Sequence, residues 1–112
     1  MTLKKVCGSK LAHIEGIYSE RKGEEMKFII KETGDMEQST IAVPFDELKK
    51  NMAYDKFVLL PFEKIPNVNL IFLTMDDKDE DLDIYIQNQN IENGDTTICT
   101  MKFRDLWELL FV

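Results

Sequence analysis

The chain contains few of the residues from which most catalytic and metal sites are built. Its 112 residues include one histidine, His13, and two cysteines, Cys7 and Cys99. It has no glycine-rich phosphate-binding loop, no nucleophile elbow and no paired-cysteine zinc motif. A histidine-based triad or metal site would depend on His13 alone, which the apolar pattern places within a strand. We therefore expect no catalysis, no cofactor and no bound metal.

Long apolar runs are also missing. The longest runs, Phe57–Leu60 and Leu70–Leu73, are far shorter than the roughly 20 residues that span a bilayer. Residues 1–8 lack the apolar segment of a secretory signal. We expect an intracellular protein, cytoplasmic or nuclear, with reduced cysteines and no membrane partner. The length fits one domain, 1–112, either complete or excised from a larger protein.

Basic residues are too few to balance the acidic ones, and the acidic excess is local. The net charge is -7, and residues 76–83 alone hold six acidic residues and one lysine. If Asp77 opened an EF-hand loop, Leu82 would replace the required glycine and Asn88 the final glutamate. We interpret the stretch as a solvated hairpin loop. A polyanion would be repelled there and would find no basic stripe, so nucleic acid is not an expected partner.

Both halves of the chain show the same order of elements, in which two strands lead into a short amphipathic helix. Each second strand contains a Thr-Ile pair, and each helix contains phenylalanine, any residue, an acid and leucine in that order, in Phe45–Leu48 and Phe103–Leu106. Alternation of apolar and polar residues predicts a mainly β or α+β domain. The predicted strands are Leu11–Ser19, Met26–Glu32, Ser39–Val43, Phe57–Phe62, Val68–Met75, Leu82–Gln87 and Thr96–Lys102.

Local signals refine these elements. Gly16 in mid-strand predicts a bulge, and Pro44 is predicted at the first position of a mid-chain helix. Three residues, Phe45, Leu48 and Met52, form the apolar face of that helix. A C-terminal helix places Phe103, Leu106, Trp107 and Leu110 on one face. We expect this helix to close an open end of the sheet, with Trp107 largely buried; the alternative is a tail presented to a partner.

The order of elements resembles the pleckstrin-homology-like superfold, an antiparallel β-barrel of about seven strands closed by a C-terminal helix. Two segments, Val43–Leu48 and Asn69–Thr74, are similar to the middle strands of non-lipid members, including those of nuclear and SUMO-protease proteins. The resemblance implies a non-catalytic protein-interaction module within a nuclear or SUMO-pathway protein. It does not imply lipid binding, because Arg21 and Lys22 lie among glutamates where lipid-binding members have a basic loop.

We predict that the protein binds another protein, one with a basic surface. The candidate partner-binding residues are acids of the loop and two tyrosines able to anchor an interface: Asp77, Asp79, Glu80, Asp81, Tyr54 and Tyr85. A sheet edge left open beside the first helix is a further candidate surface. Two alternatives stay open. One is a small phage-type acidic inhibitor that mimics DNA. The other is a tandem strand–helix protein that binds single-stranded DNA and needs basic residues on an exposed sheet face.

Overall fold

A computed structural model describes residues 3–34, 38–74 and 81–112. Two four-stranded antiparallel meanders follow one another along the chain, and each ends in a helix. Sheet A contains β1 (Lys4–Gly8), β2 (Ile14–Lys22), β3 (Glu25–Glu32) and β4 (Gln38–Pro44), and α1 (Phe45–Tyr54) follows it. Sheet B contains β5 (Phe57–Pro61), β6 (Val68–Thr74), β7 (Asp81–Asn88) and β8 (Asp95–Lys102), and α2 (Phe103–Phe111) follows it.

The mainly β fold with a mid-chain and a C-terminal helix agrees with the sequence. The part of the chain that the structure describes contains eight strands, which form two four-stranded sheets, each with its strands in chain order. Within the described ranges no ladder joins β4 to β5 or β8 to β1. These ranges therefore show two facing sheets and not a closed barrel.

Several boundaries differ from the sequence-based ones. β1 was not predicted, and β2 begins at Ile14, so His13 lies exposed in the turn before it and not within a strand. Pro44 ends β4 instead of opening α1, because it still pairs with Glu25 in the β3–β4 ladder. The predicted irregularity at Gly16 is confirmed, since the register of the β2–β3 ladder shifts between Ile14 and Gly16.

The inner faces of the two sheets enclose one core. At its centre the rings of Phe28 on β3 and Phe72 on β6 meet edge to face, with centroids 5.4 Å apart. The predicted apolar face of α1 is confirmed, since Phe45, Leu48 and Met52 are all buried in this core. Both halves of the chain thus contribute to the same apolar interior.

α2 closes one end of the core, as predicted, but its buried face is narrower than expected. Leu106 and Leu110 are buried, whereas Trp107 is only partly buried and packs beside Phe103 and Phe111. The expectation of a largely buried Trp107 is therefore wrong. The buried face of α2 is centred on Leu106 and Leu110. Trp107, one residue after Leu106, therefore lies at the edge of that face.

A disulfide joins Cys7 on β1 to Cys99 on β8. Both strands are at sheet edges, and the two edges meet where the Lys10 N–H donates to the Ile98 carbonyl at 2.9 Å. The two Cα atoms lie 6.6 Å apart, within the range that a disulfide spans. The expectation of reduced cysteines is thus wrong for this structure. Neither α1 nor α2, the helices of the described ranges, is long and apolar enough to cross a bilayer.

Candidate functional site

The structure distributes the predicted partner-binding residues over separate places. Asp77, Asp79 and Glu80 lie outside the described residues. Asp81 begins β7, is exposed and pairs in register with Lys102 of β8. Tyr85 lies four positions further along β7, on the same outer face of sheet B as Asp81.

Tyr54 lies elsewhere, at the last position of α1. Its side chain is 82% exposed, and it lines a cavity of about 100 Å³ together with Thr74 and Phe103. The structure therefore places Asp81 and Tyr85 on one face and Tyr54 at a different site.

The outer face around Tyr85 is acidic. Partial burial raises the pKa of the Tyr85 phenol, and the negative charges of Asp95 and Asp83 raise it further. Thr100 on β8 donates a hydrogen bond to the Asp83 carboxylate. A cationic group is favoured on this side of sheet B.

The same outer face has an apolar row that begins at the sheet edge. Leu59 of β5, Ile71 of β6 and Tyr85 of β7 are neighbours in register. Ile71 is fully buried, but Leu59 and the nearby Phe57 are 42% and 46% exposed. The row is therefore most exposed at its β5 end.

The hydrogen bonds at the ends of β5 determine which of its backbone groups face β6. The Thr74 N–H donates to the Lys56 carbonyl at 2.9 Å, and the Phe62 N–H donates to the Val68 carbonyl at 3.0 Å. Hydrogen-bonded and non-hydrogen-bonded pairs alternate along an antiparallel ladder. These two bonds therefore determine which residues of β5 are hydrogen-bonded to β6 and which are not.

β5 presents half of its backbone groups away from the sheet. By this alternation Val58 and Leu60 bond to β6, while the backbone N–H and C=O groups of Phe57 and Leu59 point outward. Among the described residues no strand pairs with this side of β5. Pro61, the next outward position, has no N–H to leave unpaired. The edge thus offers two amide donors and three carbonyl acceptors.

β4, the last strand of sheet A, has a similar free edge beside it. The Phe45 N–H donates to the Glu24 carbonyl at 2.8 Å, which sets the alternation of the β3–β4 ladder. Thr40 and Ala42 accordingly direct their backbone groups away from β3. β4 and β5 contact each other, yet no ladder connects them within the described ranges. We call the space between these two edges the seam.

Two cavities follow the seam. One has a volume of about 210 Å³ and lies between β5, the end of β4 and α1. The other has a volume of about 320 Å³ and lies between the start of β4 and the loop after β5. The first is lined by Val43, Pro44, Glu47, Leu48, Asn51, Asp55 and Phe57–Pro61. An extended chain segment along β5 would run past both.

The charges along the seam are unequal. Glu47 and Asp55 line the cavity beside α1, and no lysine or arginine is among the described residues that line it. Lys64 lines the other cavity, together with Phe62 and Ile65. The end of the seam at α1 is thus acidic, and Lys64 is the one cation among the described residues that line the opposite end.

The sequence predicted an open edge beside the first helix but could not identify it. The available signal was the alternation of exposed Phe57 and Leu59 with buried neighbours, followed by Pro61. A proline in an edge strand is accommodated where its missing N–H would face outward. That β4 ends beside the same edge follows only from the packing of the two sheets.

Metal ligands and relatives give no further indication. Within residues 3–34, 38–74 and 81–112, no group of three or more histidine, cysteine or acidic residues is arranged to hold a metal ion. Comparisons with protein-family models, curated proteins and solved structures found no match. The functional interpretation consequently depends on the geometry of the seam.

Proposed function

We propose that the protein is a non-catalytic interaction module that binds an extended segment of a partner polypeptide along β5. The observation that carries the proposal is the open edge of β5, where the backbone groups of Phe57 and Leu59 point into the seam. Addition of a strand to such an edge is a general mode of peptide recognition, in which main-chain hydrogen bonds supply affinity.

The side chains around the edge define the kind of segment that fits. Side chains of an added strand alternate between the two faces of the sheet. Those on the outer face would cover exposed Phe57 and Leu59, which favours apolar residues at every second position. Glu47 and Asp55 would meet the part of the segment beside α1. A lysine or arginine there would be attracted, so the proposed partner segment is apolar in alternation and basic at one end.

The edge also has features that limit uncontrolled pairing. β5 spans only Phe57–Pro61, and Pro61 ends the row of outward amides. Short edge strands and edge prolines are common protections against aggregation. The proposed binding segment is therefore short.

Leu59→Pro tests the proposal because it removes one outward N–H and leaves the β5–β6 ladder intact. Random peptides are selected by display against the wild-type protein, and the affinities of the selected peptides are then measured. We expect alternating apolar sequences with a lysine or arginine, and at least a tenfold loss of affinity in Leu59→Pro, about the effect of one hydrogen bond left unmade. Leu59→Ala keeps the N–H and should lose less.

A substitution far from β5 serves as the control. Ile91→Ala removes a side chain that is 60% exposed in the β7–β8 loop, and it should leave peptide affinity unchanged. Circular dichroism first establishes that each variant is folded. Selected peptides that bind Leu59→Pro as tightly as wild type, or a failure to select any peptide, would reject the proposal.

The acidic residues give a second test of the same partner class. Glu47→Gln with Asp55→Asn should slow association with a basic peptide and flatten its salt dependence. The acidic stretch before β7 would attract the same partners, and neutralising Asp77, Asp79 and Glu80 should act in the same direction. Glu92→Gln, an exposed acid in the β7–β8 loop, is the control. Equal salt dependence in all variants would exclude a basic partner.

Single-stranded DNA binding is the second candidate function, and the outer face of sheet A favours it. Lys5, Tyr18 and Ile29 lie in one cross-strand row, and the Lys31 Nζ lies 4.5 Å from the centre of the Tyr18 ring. A lysine-flanked aromatic ring is a component of stacking platforms. Tyr18 also donates a hydrogen bond to Glu15 at 2.9 Å, and this bond raises the pKa of the Tyr18 phenol. The Glu15 carboxylate adds negative charge to the same face.

Fluorescence anisotropy with a labelled oligothymidine at moderate salt separates the two functions. Micromolar or tighter binding that Tyr18→Ala abolishes and Leu59→Pro leaves unchanged would place DNA binding first. The pleckstrin-homology-like relationship, a nuclear or SUMO-pathway setting and the DNA-mimic alternative stay predictions from the sequence.

A further inference from the structure

One end of the inner face of sheet A is polar. Ser19 follows fully buried Ile17 on the inner side of β2, and Arg21 is the next residue on that side. Lys4 of β1 pairs in register with Ser19. Ser19 is only 2% exposed, and a buried polar residue on a core face is uncommon. Three neighbouring positions on this side thus have polar side chains, of which Lys4 and Arg21 are exposed, whereas Ile17, Met26 and Phe28 beside them are apolar and buried.

These side chains border a cavity between sheet A and the last turns of α2. Its volume is about 420 Å³, within the range of small-molecule pockets. The apolar part of its wall comes from Met26, Leu109 and Leu110. No aspartate or glutamate is among the described residues that line it.

Both cations at the cavity are held in place by contacts with the protein. The Lys4 Nζ donates to the Leu109 carbonyl at 3.2 Å. The Arg21 guanidinium lies 3.7 Å from the centre of the Phe45 ring, and its Nε donates to the Gly23 carbonyl at 3.4 Å. A guanidinium has five N–H donors, so Arg21 retains donors for an anion. A positioned cation loses less entropy when it binds.

We infer that this cavity binds a small amphipathic carboxylate. The carboxylate accepts hydrogen bonds from Arg21 and from the Ser19 hydroxyl, and Lys4 adds positive charge. The short apolar tail packs against Met26 and Leu110. A purely apolar ligand would leave the cations without a partner, and a small ion such as acetate would leave the apolar wall exposed. The site is separate from the seam, and the inference does not depend on peptide binding.

Octanoate below its micelle concentration is the probe, with acetate and octylammonium as comparison ligands. Calorimetry should show saturable binding of octanoate and none of the other two. Backbone amide resonances of Ser19, Gly23, Leu109 and Leu110 should shift in the ¹H–¹⁵N spectrum, whereas those of β5 should not. No saturable binding, equal binding of octylammonium, or shifts confined to other residues would overturn the inference.

Matched substitutions on one strand test the role of the guanidinium. Arg21→Gln should weaken octanoate binding about tenfold, the effect of a lost charge-assisted hydrogen bond. Lys22→Gln removes a cation from the opposite, outer side of β2 and should change nothing. If Arg21→Gln fails to fold, Lys4→Gln removes the other cation that lines the cavity and should also weaken octanoate binding, whereas Arg21→Lys retains the charge and should bind octanoate more tightly than Lys4→Gln. An equal effect of Arg21→Gln and Lys22→Gln would overturn the assignment.

Discussion

Replacing Leu106 by alanine tests whether α2 is an integral part of the core. Leu106 has no exposed surface and belongs to the apolar cluster that both sheets share. Truncating a buried leucine to alanine costs roughly 2–5 kcal/mol, because transfer energy is lost and a cavity remains. We expect a loss of about 3 kcal/mol in the free energy of unfolding. For a domain of this length, that loss corresponds to a fall of roughly 12 °C in Tm.

Two further substitutions on α2 give stability losses with which that of Leu106→Ala can be compared. Leu109→Ala makes the same chemical change at a partly buried position, and Trp107→Ala removes a ring that only flanks the core. We expect each to cost about 1–2 kcal/mol because less apolar surface is returned to water. Urea and thermal unfolding followed by circular dichroism measure all three. An unchanged Tm in Leu106→Ala, or a larger loss in Trp107→Ala, would refute the assignment of Leu106 as the anchor.

Three further results are expected. Gly16→Ala should destabilise the fold by about 1–3 kcal/mol because a Cβ would lie 2.7 Å from the Cys7 carbonyl oxygen. Gly8→Ala meets no atom within 4 Å and should be nearly neutral. Urea unfolding measures the stability of both variants. Removing the disulfide with Cys7→Ala and Cys99→Ala should cost up to about 4–5 kcal/mol, since it opens a long loop, and equal stability with and without reductant would contradict this. The raised pKa of Tyr85 means that the unfolded chain loses this proton first, so stability should fall above pH 10, and less so in Tyr85→Phe.

The strength of local periodicity decided which elements the sequence revealed. Buried residues of β3 alternate with less buried ones from Glu25 to Lys31, and the predicted start and end of the strand lie within a residue of the observed ones. β1 contains only Val6 and Cys7 as apolar residues and is held by pairing with β2. A strand that depends on a distant partner gives little signal of its own. β1 was therefore not among the strands predicted from the sequence.

The two proposed sites differ in how far the sequence could reveal them. The apolar residues Phe57 and Leu59 were visible, but their exposure depends on β5 being an edge strand, which is a property of the whole sheet. Arg21 lies beyond the predicted strand Leu11–Ser19, whereas the observed β2 continues to Lys22 and places Arg21 on the same side as Ser19. The disulfide likewise requires β1 and β8 to meet, although Cys7 and Cys99 are separated by 92 residues. Long-range packing determines each of these features.

Amide hydrogen exchange along β5 tests the central claim most directly. In the free protein Val58 and Leu60 should exchange slowly because they bond to β6, and Phe57 and Leu59 should exchange fast because they face the seam. A saturating display-selected peptide should slow exchange at Phe57 and Leu59 at least tenfold and leave Val58 little changed. Protection that appears elsewhere in the chain, with the Phe57 and Leu59 amides still exchanging at their free rates, would contradict strand addition at β5.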